Sequence, residues 1–426
     1  MTTPAILSGA DVSDACFLAD FQTMSSFGAT GRGGVDRQAA TTADGEQRRW
    51  LASLLAARGF DVRYDRIGNQ WGLLEAVPGA PYVVVGSHMD SQPTAGKFDG
   101  AYGVLAAAHA AFRIAERWKV CAGRGTGRPP VLNVAVVNWF NEEGSRFKPS
   151  MMGSSVYTGK LALEDALAVQ DAAGVSVGEA LDALGMRGDW DGPDAAFCAE
   201  IHVEQGRSME RDGITIGLVH SNWAANKYEF VVHGEQAHTG SAVIADRHDA
   251  LLGASMLVVA AREIADAFPG VVHTSVGQLS VYPNSPVVVP SRVELLLDLR
   301  SADEYALAAA DALLHERVAS IETAASVRIE RRTSHSWPVM PYQPEGVELA
   351  AKAAADLGLV HKPVMTIAGH DSTNMKDLVP TVMLFVPSVE GISHNEAEYT
   401  KDEDLVAGVA MLTEVVERLA AGDLEG

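Results

Sequence analysis

Cysteine is scarce. The 426 residues hold three, Cys16, Cys121 and Cys198, without the paired spacing of a zinc ribbon, a dithiol redox motif or a disulfide framework. Each reads as a small buried hydrophobe, and a reducing cytoplasm as the compartment. Basic charge is also short: 33 Lys and Arg stand against 55 Asp and Glu, a net charge of −22. Such a field repels phosphate backbones and anionic lipid, which excludes nucleic-acid and membrane partners. No apolar run approaches the roughly 20 residues that span a bilayer, and the first residues lack a basic flank followed by an apolar stretch, so nothing directs export. A Gly-x-Ser-x-Gly turn is missing, which argues against a serine nucleophile on an α/β-hydrolase sheet. The alternating glycines of GRGTGRPP at 123–130 precede a strand and end in two prolines, where a phosphate loop would open a helix, so they read as a surface loop.

What remains is a hydrophobic fraction of 47% with 21% charge, the balance of a folded chain long enough for about two domains. Asp44 with Gln47 reads as a capping box opening a helix whose face is Trp50, Leu51, Leu54 and Leu55 and whose stop is Gly59. Short apolar runs at 82–85, 131–137, 197–203 and 381–386 alternate with Ala-rich helical stretches such as 101–117, the mark of α/β layering around a buried sheet. Between about 218 and 332 the texture changes to half-buried strands around one helix-like segment at 247–267, read as an inserted α+β domain. The end of the chain returns to helical spacing at Leu405, Val409, Leu412, Val416 and Leu419, a helix expected to pack back on the first domain.

The polar residues that follow the apolar runs carry the chemistry. After PYVVVG comes SHMDS and then FDGAYGV, placing His88, Asp90 and Asp99 in one strand-to-helix loop. Crevices at the carboxyl ends of strands are where α/β sheets bind ligands. VLNVAVVNWF ends in the adjacent carboxylates Glu142 and Glu143, FCAEIHVEQG delivers His202, and TVMLFVPSVEGISHNEAEY delivers His394. Four strand ends thus supply imidazoles and carboxylates suited to one or two divalent ions, with a neighbouring carboxylate left for proton transfer.

The ordered motifs resemble the M20 metallopeptidase-like amidohydrolases, specifically the hydantoinase/carbamoylase branch of N-carbamoyl-L-amino acid hydrolases, β-ureidopropionase and allantoate amidohydrolase. The likeness runs through GRGGVDR at 31–37, DRIGNQWG at 65–72, GSHMDSQPTAGKFDGAYGV at 86–104, NEEGSRF at 141–147, MGSSVYTGKL at 152–161 and EIHVEQG at 200–206. It continues through GEQAHTG at 234–240, DRHDA at 246–250, DLR at 298–300, AGHDS at 368–372 and GISHNEAEYT at 391–400. The resemblance implies a two-domain α/β fold: a catalytic metal-binding domain over 1–216 and 333–426, and an inserted α+β lid and dimerisation domain over 217–332. It implies that Asp99 bridges two metals, with His88 and His202 on one and Glu143 and His394 on the other. Glu142 becomes the general base, Asp90 the partner that orients the His88 ring, and His238 a lid donor to the oxyanion. Arg300 is expected to bind a substrate carboxylate through two parallel bonds, with Gln205, Asn284 and His370 lining the substrate.

One departure bears on the substrate. Where the family has a second asparagine after Asn284, this chain has Val287, its glycine is Ser291, and its TTPM is Ser241-Ala242-Val243-Ile244. An apolar side chain donates nothing to a ureido oxygen or a carboxylate. The resemblance therefore implies a cytoplasmic, homodimeric, metal-dependent hydrolase of a linear C–N bond in a small carboxylate-bearing substrate, first an N-carbamoyl-L-amino acid or related ureido acid. The alternatives are hydrolytic deamination of an aromatic amino acid such as an aminobenzoate, a dipeptidase-like activity, or a scaffold that has lost its chemistry. Zinc, manganese, cobalt and nickel all suit the mixed ligands.

Overall fold

The order of strands in the larger sheet explains why the polar residues meet. The computed structural model describes residues 11–124 and 128–424. Its eight-stranded sheet runs Asp61–Tyr64, Gln70–Leu74, Asn133–Trp139, Tyr82–His88, Ala195–Val203, Thr381–Val386, Ile216–Asn222, His361–Thr366. The four central strands are mutually parallel, so their carboxyl ends share one edge. Asn133–Trp139 and Thr381–Val386 are buried at every position, as strands covered on both faces must be. The covering helix Ala101–Arg124 brings Ala106, Ala107, Ala108, Ala110 and Ala111 to the core, small side chains that let it lie close to the sheet and to the helix Asp402–Ala420. No described helix is long and apolar enough to cross a membrane.

The chain forms two units: one of the residues up to His220, Tyr342–Val364 and those from Gly369 on, the other Ser221–Pro341 with Met365–Ala368. The second unit is a four-stranded antiparallel sheet in the order Arg328–Trp337, Ala224–His233, Arg292–Ser301, Val272–Tyr282. Along Arg292–Ser301 burial alternates: Val293, Leu295, Leu297 and Leu299 face the helices Ala250–Ala267 and Glu304–Ala325, while Arg292, Glu294, Leu296, Asp298 and Arg300 lie on the other side. The boundary expected at 332 falls at 341, because Arg328–Trp337 stays paired to Ala224–His233 as far as Trp337. The charges of RIERRTSHSW conceal that strand from a hydropathy reading.

Local signals differ in two further places. The helix Thr42–Ala57 is capped by Thr41, whose hydroxyl accepts from Asp44 N–H at 3.4 Å, while Asp44 sits inside the first turn and accepts from Ala40 N–H at 2.8 Å. The capping pair is thus shifted three residues upstream of the expected one. The loop expected at 123–130 starts later, since Gly123 and Arg124 end the Ala101–Arg124 helix; residues 125–127 lie outside the described residues. Cys16 and Cys198 are buried free thiols, whereas the side chain of Cys121 lies outside the described set.

Candidate metal centre and catalytic site

The shared strand edge brings six of the expected residues into one cluster within the first unit. Asp99 stands at its centre. Its Oδ1 lies 3.6 Å from His88 Nε2 and 3.1 Å from His202 Nε2, and its Oδ2 lies 3.2 Å from His394 Nε2. His394 Nε2 is also 3.5 Å from Glu143 Oε2, and Glu142 Oε2 is 3.5 Å from His88 Nε2. Two donor triplets result, His88, Asp99, His202 and Asp99, Glu143, His394, each with its ligand atoms within 4.8 Å of one another.

Backbone contacts orient these side chains. His88 Nδ1 meets the Asp90 carbonyl at 3.0 Å and His202 Nδ1 meets the Val203 carbonyl at 2.9 Å, so both rings turn Nε2 toward Asp99. Gly100, at φ +62, passes so close to His88 that a Cβ there would lie 2.2 Å from Nε2. Asp90 differs from expectation: its carbonyl, two residues along the same turn, supplies the hydrogen bond to His88, while its carboxylate reaches only 3.6 Å from Nδ1. That carboxylate instead accepts from Glu142 N–H at 3.1 Å and Glu143 N–H at 3.2 Å, fixing the turn that separates the two glutamates. Gln92 holds Glu143, donating from its backbone at 3.2 Å and from Nε2 at 2.9 Å.

Electrostatics follow from crowding acids in a largely buried cage. Burial, then the Asp371 carboxylate, pushes Glu142 well above the usual carboxylate range. Burial and then Asp99 push Glu143 up to about 8. Burial also opposes ionisation of Asp99, but hydrogen bonds from His202 and His394 outweigh it and hold Asp99 well below its usual range. For His202, burial is overcome by the hydrogen bond to Asp99 and the ring rises to about 9; His394 rises to about 9 chiefly through the same partner. His88 falls to about 4 because burial dominates. Protons therefore sit where positive charge is called for, and the mixed nitrogen and oxygen donors around a shared carboxylate fit one or two divalent ions. A third triplet, Cys16, Asp20 and His109, lies apart. There Arg58 Nη2 approaches Cys16 Sγ at 3.8 Å, so a cation already faces the thiol and the group reads as a buried polar cluster.

The other expected residues divide between the units. In the first, Gln205 Nε2 donates to Asp99 Oδ2 at 2.7 Å and to Ser393 Oγ at 3.0 Å, while its Oε1 is buried without a partner. His370 is buried with its ring centroid 4.5 Å from that of His202. In the second unit His238 is exposed, and its Nδ1 accepts from Gly240 N–H at 2.9 Å and Ser241 N–H at 3.2 Å, which leaves the ring proton on Nε2. Val287 is 60% exposed beside it, its carbonyl accepting from Thr239 N–H, and Asn284 is exposed at φ 56. Arg300 gives Nε and Nη2 to Asp298 Oδ2 at 2.9 and 2.7 Å and Nη1 to the Ile367 carbonyl at 2.8 Å, leaving part of its fork for a ligand.

Sequence reasoning missed several polar residues of the cage. Glu200 accepts from Ser87 Oγ at 2.7 Å and Ser372 N–H at 2.8 Å. Gln92, Ser393 and Glu398 complete the set. One signal was readable: Glu200 stands two residues before His202 on the same face of an otherwise apolar strand.

Known proteins place this geometry. The model of peptidase family M20/M25/M40 matches residues 84–418. A protein of Mycolicibacterium smegmatis named only as a hydrolase is 59% identical over 96% of this chain and 94% of its own length. An N-carbamoyl-L-amino-acid amidohydrolase of Rhizobium meliloti is 34% identical over 90% of this chain and 91% of its own. The solved structure of a hydantoinase/carbamoylase family amidase from Burkholderia vietnamiensis superposes with a TM-score of 0.88 at 33% identity, covering 98% of this chain and all (100%) of the other. With four parallel strand ends gathering its acids and imidazoles, the chain belongs to peptidase family M20/M25/M40, in the hydantoinase/carbamoylase branch of enzymes that hydrolyse C–N bonds other than peptide bonds.

Proposed function

We propose that the chain hydrolyses an N-carbamoyl-L-amino acid or a related ureido acid. One or two ions of zinc, manganese, cobalt or nickel would be held by His88, Asp99, Glu143, His202 and His394. The observation that carries this reading is a single carboxylate, Asp99, shared by two donor triplets with Glu142 alongside. Such ions supply Lewis acidity and lower the pKa of water toward about 7. Glu142 takes the proton of the attacking water and returns it to the departing nitrogen; a carboxyl with a raised pKa serves both halves of that transfer. Asp90 keeps Glu142 in place through its backbone. His238 donates from Nε2 to the oxyanion that develops as the carbonyl turns tetrahedral. Arg300 takes the substrate carboxylate on the N–H groups that Asp298 and Ile367 leave over, while Gln205, Asn284 and His370 line the substrate.

Release of ammonia from a panel of N-carbamoyl-L-amino acids and other ureido acids, measured after metal loading and again after chelation, tests the reading. Activity is expected with metal and is lost with chelator; inactivity on every ureido acid removes the reading. A second reading, deamination of an aminobenzoate or dipeptide cleavage, draws on the exposed Val287, whose carbonyl accepts from Thr239 N–H next to His238, and on the exposed apolar side chains Val243 and Ile244. Aryl amines and dipeptides in the same panel separate the two. We further propose a cytoplasmic homodimer through the second unit, whose edge strand Val272–Tyr282 pairs on one side only; a solution mass of twice 45.1 kDa is expected.

A further inference from the structure

Two loops of the first unit, distant in sequence, carry Asp99 and His394, and a buried carboxylate outside the donor set fastens one to the other. Glu398 follows His394 by four residues and is 5% exposed. Its Oε2 accepts from Phe98 N–H at 3.0 Å and from Asp99 N–H at 3.2 Å, gripping the peptide that carries the shared carboxylate. Oε1 is buried without a hydrogen-bond partner. An unfilled buried acceptor is costly, so packing alone gives no reason for a glutamate here. The fit is tight as well: a Cβ on Gly96 would lie 1.9 Å from Oε2. The segment around Glu398 closes the same clamp, with Ser393 Oγ donating to Asp99 Oδ2 at 3.1 Å and Thr30 Oγ1 donating to Glu396.

We infer that Glu398 is a positioning residue for the second ion: by clamping the Asp99 peptide against the His394 loop, it decides whether the cage holds two divalent ions or one. The two halves of the cage depend on it unequally. His88 and His202 are buried strand-end residues whose rings are held by carbonyls of their own strands and turns. His394 comes from the loop that Glu398 anchors, is half exposed, and meets Asp99 through Oδ2. Loosening the clamp thus lets the His394 loop draw away from Asp99 Oδ2 and leaves the His88, Asp99, His202 triplet standing. This inference rests on the metal reading proposed above.

The full chain, stripped with chelator and titrated with Mn(II) under calorimetry and electron paramagnetic resonance, tests it. Wild type is expected to take two ions with a spin-coupled signal. In Glu398→Ala the first ion keeps its affinity, the second weakens about 10- to 100-fold, the range for groups that orient ligands, and the signal becomes that of an isolated ion. Gly96→Ala, which keeps the glutamate but displaces it, shows the same selective loss and serves if Glu398→Ala fails to fold. Glu398→Gln retains one oxygen for both N–H groups and keeps two ions. Two ions of unchanged affinity in folded Glu398→Ala or Gly96→Ala overturn the inference. So does equal weakening of both ions, or a glutamine variant that behaves as alanine. A wild type holding one ion removes the second site and the inference with it; a wild type holding none overturns the metal reading itself.

Discussion

The two units place their polar residues by opposite rules. In the first, central strands are buried on both faces, so the cage's acids and imidazoles gather where the strands end, and there His88, Asp99 and His202 are 1%, 6% and 1% exposed. In the second, strands alternate, one face carries charged side chains, and exposure extends to His238, in the short pairing of Ala237–His238 with Val288–Val289, and to Asn284 and Val287 on the loop before that pairing. A side chain at a convergent strand end is fixed by many partners at once, so its replacement disturbs several contacts. One on an exposed loop changes without disturbing the fold. The contrast separates a fixed cage in the first unit from exposed candidate residues in the second.

Substitutions can break or sharpen that contrast. Glu142→Gln keeps the shape and loses the proton acceptor, so kcat for ammonia release is expected to fall about 10²- to 10⁴-fold with metal content unchanged; full activity would break the assignment. His238→Ala is expected to lower kcat about 10²- to 10³-fold while the melting temperature stays put, since the ring is exposed. Acidity acts on the cage. Without metal, His202 and His394 hold protons up to about pH 9 and Glu143 up to about 8. Metal must displace them, so affinity rises with pH from 7 toward 9, each released proton contributing up to about tenfold per pH unit. Calorimetry in buffers of different ionisation enthalpy counts the protons.

Asp65 probes the first unit away from the cage. Its Oδ1 accepts from Ile67 and Asn69 N–H, and its Oδ2 accepts from Asn69 Nδ2 at 2.8 Å and Trp71 Nε1 at 3.1 Å. In Asp65→Asn an amide would face two donors, and urea denaturation should show a loss of about 1–3 kcal/mol. Val287→Asn, on the exposed loop, should shift stability by less than about 0.5 kcal/mol. Its effect should appear in relative KM values for apolar and polar substrates; unchanged ratios would detach Val287 from recognition.

Apolar runs made the central strands legible, and the polar residues that follow those runs marked the strand ends. Partners supplied by pairing were hidden. Ser87 and Glu200 are 113 residues apart and meet because their strands are neighbours; Glu398 and the Asp99 peptide are 299 apart. The residue type of Asp90 points to its carboxylate, but the turn after His88 brings its carbonyl to the ring first. The cap at Thr41 was obscured because Asp44 is an equally good capping residue that here occupies the first turn. In the second unit the Arg328–Trp337 strand carries too many charges to announce itself.

Arg300 is already clasped on three of its N–H groups by Asp298 and Ile367. A long, flexible cation in that state has surrendered its rotamer freedom during folding, and whatever anion it meets finds it ordered. A lysine in its place would spend two of its three hydrogens on the same two acceptor oxygens and offer a guest one, from a single point, where the guanidinium spreads five along rigid edges.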